Sequence, residues 1–380
     1  MANVTQIYSM VNAAASEAMG LAAIAVKDTS TLVSLGDQVL SSTDNTDKFY
    51  QALVDRIGRT VIAARAYRGK KRSVKRDEMD WGIWYQKISY KKVSAQTNTD
   101  WDKTSTLSKY DITPQTEAVQ KLFSKVGTFR FADAVPQSKL FTAFQNAEAM
   151  GAFISGIYTN MDNMIEKYDE DNDNLSVATN IAVVVQNGKA TQKRNLLAEY
   201  NTAHAGATLT VDNCLESLEF LKYAAEQIGQ TQKYMQDLSV AFNCSTDIPR
   251  HTDEANCVVE VLSTFAKKSA FYLQSDTFHK ELVELPRYEE VTYWQGTGTG
   301  YAFGDVSKIN VKLDATHSVE QAGILAFVHD RDSCASVIKK KRAFSTYDEI
   351  NDRLVFGKNF DYGYAVDDSE NAVVFYIAAV

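Results

Sequence analysis

The clearest hydrophobic pattern in the chain runs through its second quarter. Leu140, Phe144, Ala147, Gly151, Ile154, Tyr158, Met161 and Ile165 recur at helical spacing, and Pro136, Gln137 and Ser138 stand where a helix begins. The pattern predicts about seven turns, roughly 40 Å at about 1.5 Å per residue. The polar stretch DEDNDN then reads as a break, and LSVATNIAVVVQ as a second helix ending at Gly188. Near the N-terminus, Gln6 to Val26 allows a helix. Phe49, Leu53 and Ile57, with cap chemistry at Ser41–Asn45 and Gly58 behind them, predict another at about 45–57. From Ala207 to about Ala270 the pattern is helical and mixed, CLESLEFLKYAAEQI being its most regular piece.

Strand signals lie on either side of the long helix. WGIWYQKISYKKV (81–93) is aromatic and β-branched, and VGTFRFADAV (126–135) places Phe129 and Phe131 on one face with Arg130 on the other. Thr60, Val61 and Ile62 continue the preceding helix as a short strand or arm, and residues 94–110 are a polar turn region. These stretches predict a two-stranded excursion of about seventy residues; a connection of that length is normally functional or disordered, and its aromatic content argues against disorder. Further strands are expected at Tyr288–Trp294 and Lys308–Leu313, joined by a Gly-rich hairpin loop. Others are expected at Arg353–Phe356, Tyr362–Val366 and Ala372–Ile377. The fold class is α+β, and no repeat of twenty to fifty residues is visible.

Composition narrows the class. With 45% hydrophobic residues, 11% aromatic, 4 prolines and 18 glycines in 380 residues, the chain is neither disordered nor low-complexity. A length of this order suggests two structural regions. The 4 cysteines are scattered, which reads as free thiols in a reducing compartment, and no apolar run is long enough for a membrane span. Charge is unevenly spread. Residues 51–100 hold twelve Lys/Arg against five Asp/Glu, a balance of +7, so the remainder of a chain with net charge −8 carries −15. Arg65, Arg68, Lys70, Lys71, Arg72, Lys75 and Arg76 put seven cations into twelve residues. Nucleic acid and a solvated loop are two readings; a basic arm docking on the acidic body of another copy fits the charge balance better.

Sites for chemistry are weak. Asp169, Asp171 and Asp173 match the opening of a calcium loop, but the sixth and twelfth places are Asn174 and Asn180, so the anchoring carboxylate is missing. The expectation is a solvated acidic turn capping the next helix; a metal-dependent hydrolase using Asp169–Asp173 is the enzyme-class rival. QGTGTGYAFG lacks both the dinucleotide fingerprint and the Gly-Lys-Ser/Thr of a phosphate loop. Cys244, His251 and Cys257 lack the paired spacing of a zinc site. Cys334 with His329 reads as a small buried thiol beside a surface imidazole rather than a nucleophile and base, and His204, His279 and His317 stand alone. No catalytic residue, cofactor or metal site is assigned. The contact candidates are the seven basic residues together with Trp81, Trp84 and Tyr85.

The order of elements resembles the major capsid proteins of tailed bacteriophages, the Hong Kong 97 capsid fold. GILAFVHDRDSCASVI (323–338) resembles that family's apolar strand and Asp-rich turn. TYDEINDRLVFGKNFDYGYAVDDSENAVVFY (346–376) resembles its C-terminus, and FYQALVDRIGRT (49–60) its arm-to-loop junction. The resemblance implies an N-terminal arm at about 1–58, an extended β-hairpin loop at 59–135, and a peripheral domain and an axial domain. The peripheral domain takes the spine helix at 136–190 with 277–313 and 345–380. The axial domain takes 191–276 with 314–344. It also implies self-assembly into hexamers and pentamers of an icosahedral or prolate virion shell made in the host cytoplasm. The implied partners are a portal and packaged double-stranded DNA held non-specifically, with no membrane. No long charged segment precedes Met1–Val26, which favours a separate scaffolding protein. Some relatives cross-link through Lys and Asn; Lys87, Lys91 and Lys92 lie in the loop, with no motif that assigns this chemistry. An encapsulin-type bacterial shell is the nearest alternative, and a nucleic-acid-binding protein using 65–76 the alternative of another class.

The charge balance yields a test. Reversing Lys70, Lys71, Arg72, Lys75 and Arg76 to Glu is expected to leave a folded subunit that closes shells slowly or not at all in electron micrographs. Normal shells that fail to retain DNA would favour nucleic-acid binding, and normal DNA-filled shells would make the run a solvated loop.

Overall fold

The computed structural model describes residues 4–42, 85–93, 117–123, 126–136, 147–204, 208–275, 286–295 and 302–379 except 352. It also describes 44, 45, 48, 49, 52, 74 and 206. The chain opens with two helices, α1 (Val4–Met19) and α2 (Thr29–Leu40). The expected single helix to Val26 ends early, where Gly20 takes a φ of 65°. The second helix starts at a capping box, the Asp28 side chain accepting from the Thr31 amide at 2.9 Å. Residues 48, 49 and 52 are helical as expected, and Phe49 and Ala52 are buried. They join Val11, Leu32 and Leu35 of the two helices in a core completed by Met161 and Phe356.

The centre of the molecule is α3 (Ala147–Asn187), one helix of 41 residues and roughly 60 Å. The acidic stretch does not break it. Asp and Asn are poor helix formers, but here their side chains are held by other elements. Asp173 is buried and accepts hydrogen bonds from the Ser336 hydroxyl and, at 3.2 Å, from the Tyr362 hydroxyl. Lys167 pairs with Asp171 one turn on, at 2.7 Å. The expected capping turn is thereby corrected, and the three aspartates do not form a loop, since in the helix Asp171 projects from a different side than Asp169 and Asp173. Gly188 ends the helix as expected, its amide donating to Val184 O at 2.7 Å; a Cβ there would lie 2.3 Å from that oxygen.

One face of α3 is covered by three long antiparallel strands, β3 (Val126–Pro136), β10 (Cys334–Asp348) and β11 (Arg353–Val366), in the order β10-β11-β3. Phe129 and Phe131 meet the Tyr168 ring edge-on at 4.8 and 5.4 Å, and Lys358 pairs with Asp162 at 2.8 Å. Arg130 lies on the opposite face, as expected, over the Phe344 ring. The partner of β3 is the C-terminal strand and not the 81–93 stretch, which corrects the expected excursion. The two separate strands expected at 353–366 are one, because β10 and β3 pair with it along its length.

A five-stranded sheet, ordered β4-β12-β9-β5-β6, forms the rest of the body. Its strands are β4 (Lys193–Asn195), β5 (Cys257–Leu262), β6 (Glu289–Val291), β9 (Ile324–Asp330) and β12 (Ala372–Tyr376). Every residue of β9 is buried. The stretch read as helical to Ala270 thus contains a strand, β5. Helices α4 (Leu196–Ala203), α5 (Leu218–Tyr234) and α6 (Ser263–Ser275) cover one side of the sheet. The other side packs on the C-terminal half of α3 and on the hairpin of β7 (Ile309–Lys312) and β8 (Ser318–Gln321). The expected pairing of 288–294 with 308–313 does not form: β6 joins β5, β7 joins β8, and the short helix α7 (Phe303–Val306) lies between β6 and β7.

Asp173→Ala would leave two buried hydroxyls without their acceptor, a loss of about 1–3 kcal/mol each. Urea unfolding should show a drop of at least that size in the full chain; an unchanged midpoint would make the carboxylate a bystander.

Candidate functional site

Strands β1 (Tyr85–Tyr90) and β2 (Ala118–Phe123) form an antiparallel hairpin that stands apart from both large sheets. Among the described residues, no side chain of this hairpin belongs to the three hydrophobic cores. Strand alternation divides its residues into two faces. Lys87 opposite Lys121, and Ser89 opposite Val119, point inward; Gln86 opposite Leu122, Ile88 opposite Gln120, and Tyr90 opposite Ala118 point outward.

The inward face sits on the turn between β11 and β12. Lys87 reaches Asp367 at 2.9 Å and also Glu370; Lys121 reaches Asp367 at 2.8 Å and also Asp368. Arg250 completes the cluster, pairing with Glu370 at 3.0 Å and donating to the Ser89 hydroxyl. The turn has bonds of its own: Asp367 accepts from the Ser369 amide and hydroxyl at 3.0 and 2.7 Å, and its own amide donates to Ser333 O at 2.7 Å. Two further contacts lie at the end of β1, Lys91 with Glu117 at 2.5 Å and the Lys92 amide with Asp247 O at 2.6 Å.

These charges are largely withdrawn from water, the Asp367 side chain being 3% exposed. Burial opposes ionisation of Asp367, but the Lys87 ammonium and hydrogen bonds from Lys121 and Ser369 outweigh it and hold the carboxyl below its ordinary range. Burial likewise works against Lys87 and Lys121, and their carboxylate partners more than offset it, so both are raised. For Glu370 burial prevails over Lys87 and Arg250 and pushes the carboxyl up.

The outward face is apolar and open. Ile88, Tyr90 and Leu122 are 55%, 62% and 46% exposed, and Val93 just beyond is 81% exposed. A groove of about 680 Å³ separates β2 from the end of α3 and the β7–β8 turn, with Leu122, Val183, Leu313 and Tyr364 among its walls. An isolated two-stranded hairpin is at best marginally stable in water. This one is held by an ionic inner face and offers an apolar outer one, which suits it to a contact between subunits and not to chemistry.

Of the contact residues expected from sequence, Arg65, Arg68, Lys70, Lys71, Arg72, Lys75, Arg76, Trp81 and Trp84 lie outside the described residues; Tyr85 opens β1 opposite Phe123. Val74, inside the basic run, is described. It is fully buried beside Val177, Ile181 and Cys334, and its carbonyl accepts from the Ser336 amide at 3.1 Å. The run is therefore pinned to the body at that point and is not a free solvated loop along its whole length. The expected surface imidazole of His329 is corrected too: the ring is fully buried, stacked on Phe327 at 4.7 Å and 2.9 Å from the Ser333 hydroxyl. Burial pushes the Cys257 thiol up to about 12, which keeps it protonated. His204 stacks on Tyr200 and His317 pairs with Asp314 at 2.7 Å, so neither stands alone. Among the described residues no three His, Cys, Asp or Glu side chains gather as a metal site would require, and no helix is long and apolar enough to cross a membrane.

The model of the Phi29-like phage major capsid protein family matches residues 9–376. The chain belongs to that family. Among solved structures, it is similar to the capsid of Staphylococcus phage Andhra, with 10% identity and a TM-score of 0.53 over 80% of this chain and 83% of that one. The mature capsid of bacteriophage PhiM1 gives 7% identity and a TM-score of 0.49 over 83% and 90%. The comparison with curated proteins gives no match. The Andhra likeness carries the fold, which is of the Hong Kong 97 type. The protein is thus a shell-forming major head protein, a component of a phage virion that assembles from many copies of itself. Neither the encapsulin alternative nor the nucleic-acid-binding one gains support.

The ionic cluster sets a pH profile. The contribution of Asp367 is fully present above the ordinary carboxyl value near about 4 and is lost as pH falls through its lower folded value. Those of Lys87 and Lys121 are fully present below about 10.4 and are lost as pH rises through their higher folded values. Glu370 runs the other way, its ionisation costing stability as pH rises from about 4.3 to its raised folded value. Calorimetry should find a melting temperature that is flat between about pH 7 and 9 and falls below about pH 4, with the acid slope reduced in Asp367→Asn. An acid slope identical in the variant would remove Asp367 from the account.

Proposed function

We propose that this capsid protein closes an icosahedral or prolate shell as hexamers and pentamers, working by self-association and not by catalysis. The shell surrounds double-stranded DNA held non-specifically, meets a portal and a separate scaffolding protein, and is made in the host cytoplasm. One observation carries the reading: the β1–β2 hairpin exposes Ile88, Tyr90 and Leu122 while its charged face is engaged at home. A closed assembly hides such a surface, which a monomer would leave in water.

The division into arm (about 1–58), extended loop (59–135), peripheral domain (136–190, 277–313 and 345–380) and axial domain (191–276 and 314–344) belongs to the same proposal. Two observations support it: the arm helices share a core with α3 and β11, and α4, α5 and α6 share another with the five-stranded sheet. Strand β12 is common ground, lying between β4 and β9. In this reading Arg65, Arg68, Lys70, Lys71, Arg72, Lys75 and Arg76, with Trp81, Trp84 and Tyr85, make contacts between subunits.

Apolar residues at the centre of an interface often contribute about 2 kcal/mol or more each. Two triple variants test this, one changing Ile88, Tyr90 and Leu122 to Ser and one changing Trp81, Trp84 and Tyr85 to Ala. Both are expected to melt within a few degrees of the parent subunit yet form no shells by negative-stain microscopy. Shells of normal size and yield from both variants would overturn the reading, and a collapse in melting temperature would make these side chains core.

A further inference from the structure

We infer that the β1–β2 hairpin is held on its own subunit by an ionic latch that salt releases while the body stays folded. The inference goes beyond the shell reading, because it describes the isolated subunit.

The first ground is what the hairpin lacks. Among the described residues, none of its side chains enters a hydrophobic core and its strands pair only with each other, and an open groove lies between β2 and the end of α3. Val119 and Phe123 are half-buried on the inward face, so apolar contact contributes there, but the hairpin's described side chains are not part of a core.

The second ground is the position of the two lysines. Lys87 and Lys121 are register partners directly opposite one another. Like charges in that arrangement destabilise a strand pair. They become favourable only against Asp367, Asp368 and Glu370, which stand in a turn braced by Ser369 and Ser333. The hairpin is thus ordered when latched and self-repelling when free. Such a contact has two states, and ionic strength biases it through its less buried pair, Lys121 with Asp368: the screening length falls from about 10 Å at 0.1 M to about 3 Å at 1 M, while nearly buried pairs are screened less.

The latch is also graded. Lys87, with Asp367 and Glu370, is nearly buried, whereas the Lys121 and Asp368 side chains are 32% and 43% exposed. Salt reaches the Lys121 side first, so release begins at β2, the strand that borders the groove. A consequence for assembly is that part of its salt dependence originates inside each subunit, in how often the hairpin is aligned, and not only across the contacts between subunits.

Hydrogen–deuterium exchange on the unassembled full chain tests this. Amides of 85–90 and 118–123 should exchange at least tenfold faster in 1 M than in 0.05 M sodium chloride. The same should occur at low salt in Lys87→Met and in Lys121→Gln, the latter at a half-buried position that keeps a polar side chain beside Asp368. Amides of β9 and β12 should not change. Hairpin exchange insensitive to salt would overturn the latch, as would β9 and β12 opening together with it. Release by salt with no effect of either substitution would overturn the assignment to these lysines. A chain that latches as described but never forms shells would count against the shell reading and leave the latch standing.

Discussion

Most helical stability in a protein comes from tertiary packing, and α3 needs that packing along about 60 Å. Its turns are covered by successive neighbours. Met161 and Ile165 pack into the arm core, Tyr168 meets the phenylalanines of β3, and Val177, Ile181 and Val184 enter the core beneath the five-stranded sheet. Where its sequence is least helical, the covering layer supplies hydrogen bonds, from Ser336 and Tyr362 to Asp173. The three long strands are thereby fixed along the helix, and so is the turn that joins β11 to β12.

That turn is where the rigid body meets the hairpin. Asp367, Asp368 and Glu370 are presented by a frame that owes its position to α3 and β9, since the Asp367 amide bonds Ser333 and the Asp330 amide bonds Asn371 O at 2.8 Å. Among the described residues, the contacts from frame to hairpin are chiefly ionic. Hydrophobic contacts are roughly proportional to area and set no direction, whereas paired charges demand a set geometry. The hairpin therefore points its apolar face in a defined direction while remaining separable from the body. For a subunit that must fit many neighbours in a closed shell, this combination keeps the adhesive surface aligned and leaves the cores undisturbed.

Much of the fold was legible in the sequence, and the failures share a cause. Helix periodicity found α3 because its apolar positions repeat, aromatic and β-branched content found β1, and alternation found β3. The DEDNDN stretch was misread because local propensity favours a break, and the partners that override it, Ser336 and Tyr362, lie more than 160 residues away. Helix α2 was missed although Asp28, Thr31, Leu32, Leu35 and Val39 carry both a capping box and a stripe. Strand β2 was missed because AVQKLF is short and, as a partner for β1, less conspicuous than the phenylalanines of β3. As for the site, the cations of 51–100 were expected to dock on acidic residues of another copy; among them Lys87 meets Asp367 and Glu370 of its own chain. Lys87 and Lys121 were passed over for the denser run, and Asp367–Glu370 reads as an ordinary polar turn until the fold brings it under the hairpin. The resemblance to phage capsid proteins, carried by 323–338 and 346–376, was the part of the function that sequence supplied, and the family match over residues 9–376 establishes it.

The central claim is that each hairpin is latched to its own body and turns its apolar face to a neighbour. A cryo-electron microscopy reconstruction of the assembled particle, at a resolution that shows side chains, tests it most directly. The account predicts Lys87 and Lys121 on Asp367–Glu370 of the same chain, with Ile88, Tyr90 and Leu122 buried against an adjacent subunit. Those three side chains facing solvent, or the two lysines seated on another subunit's carboxylates, would contradict it.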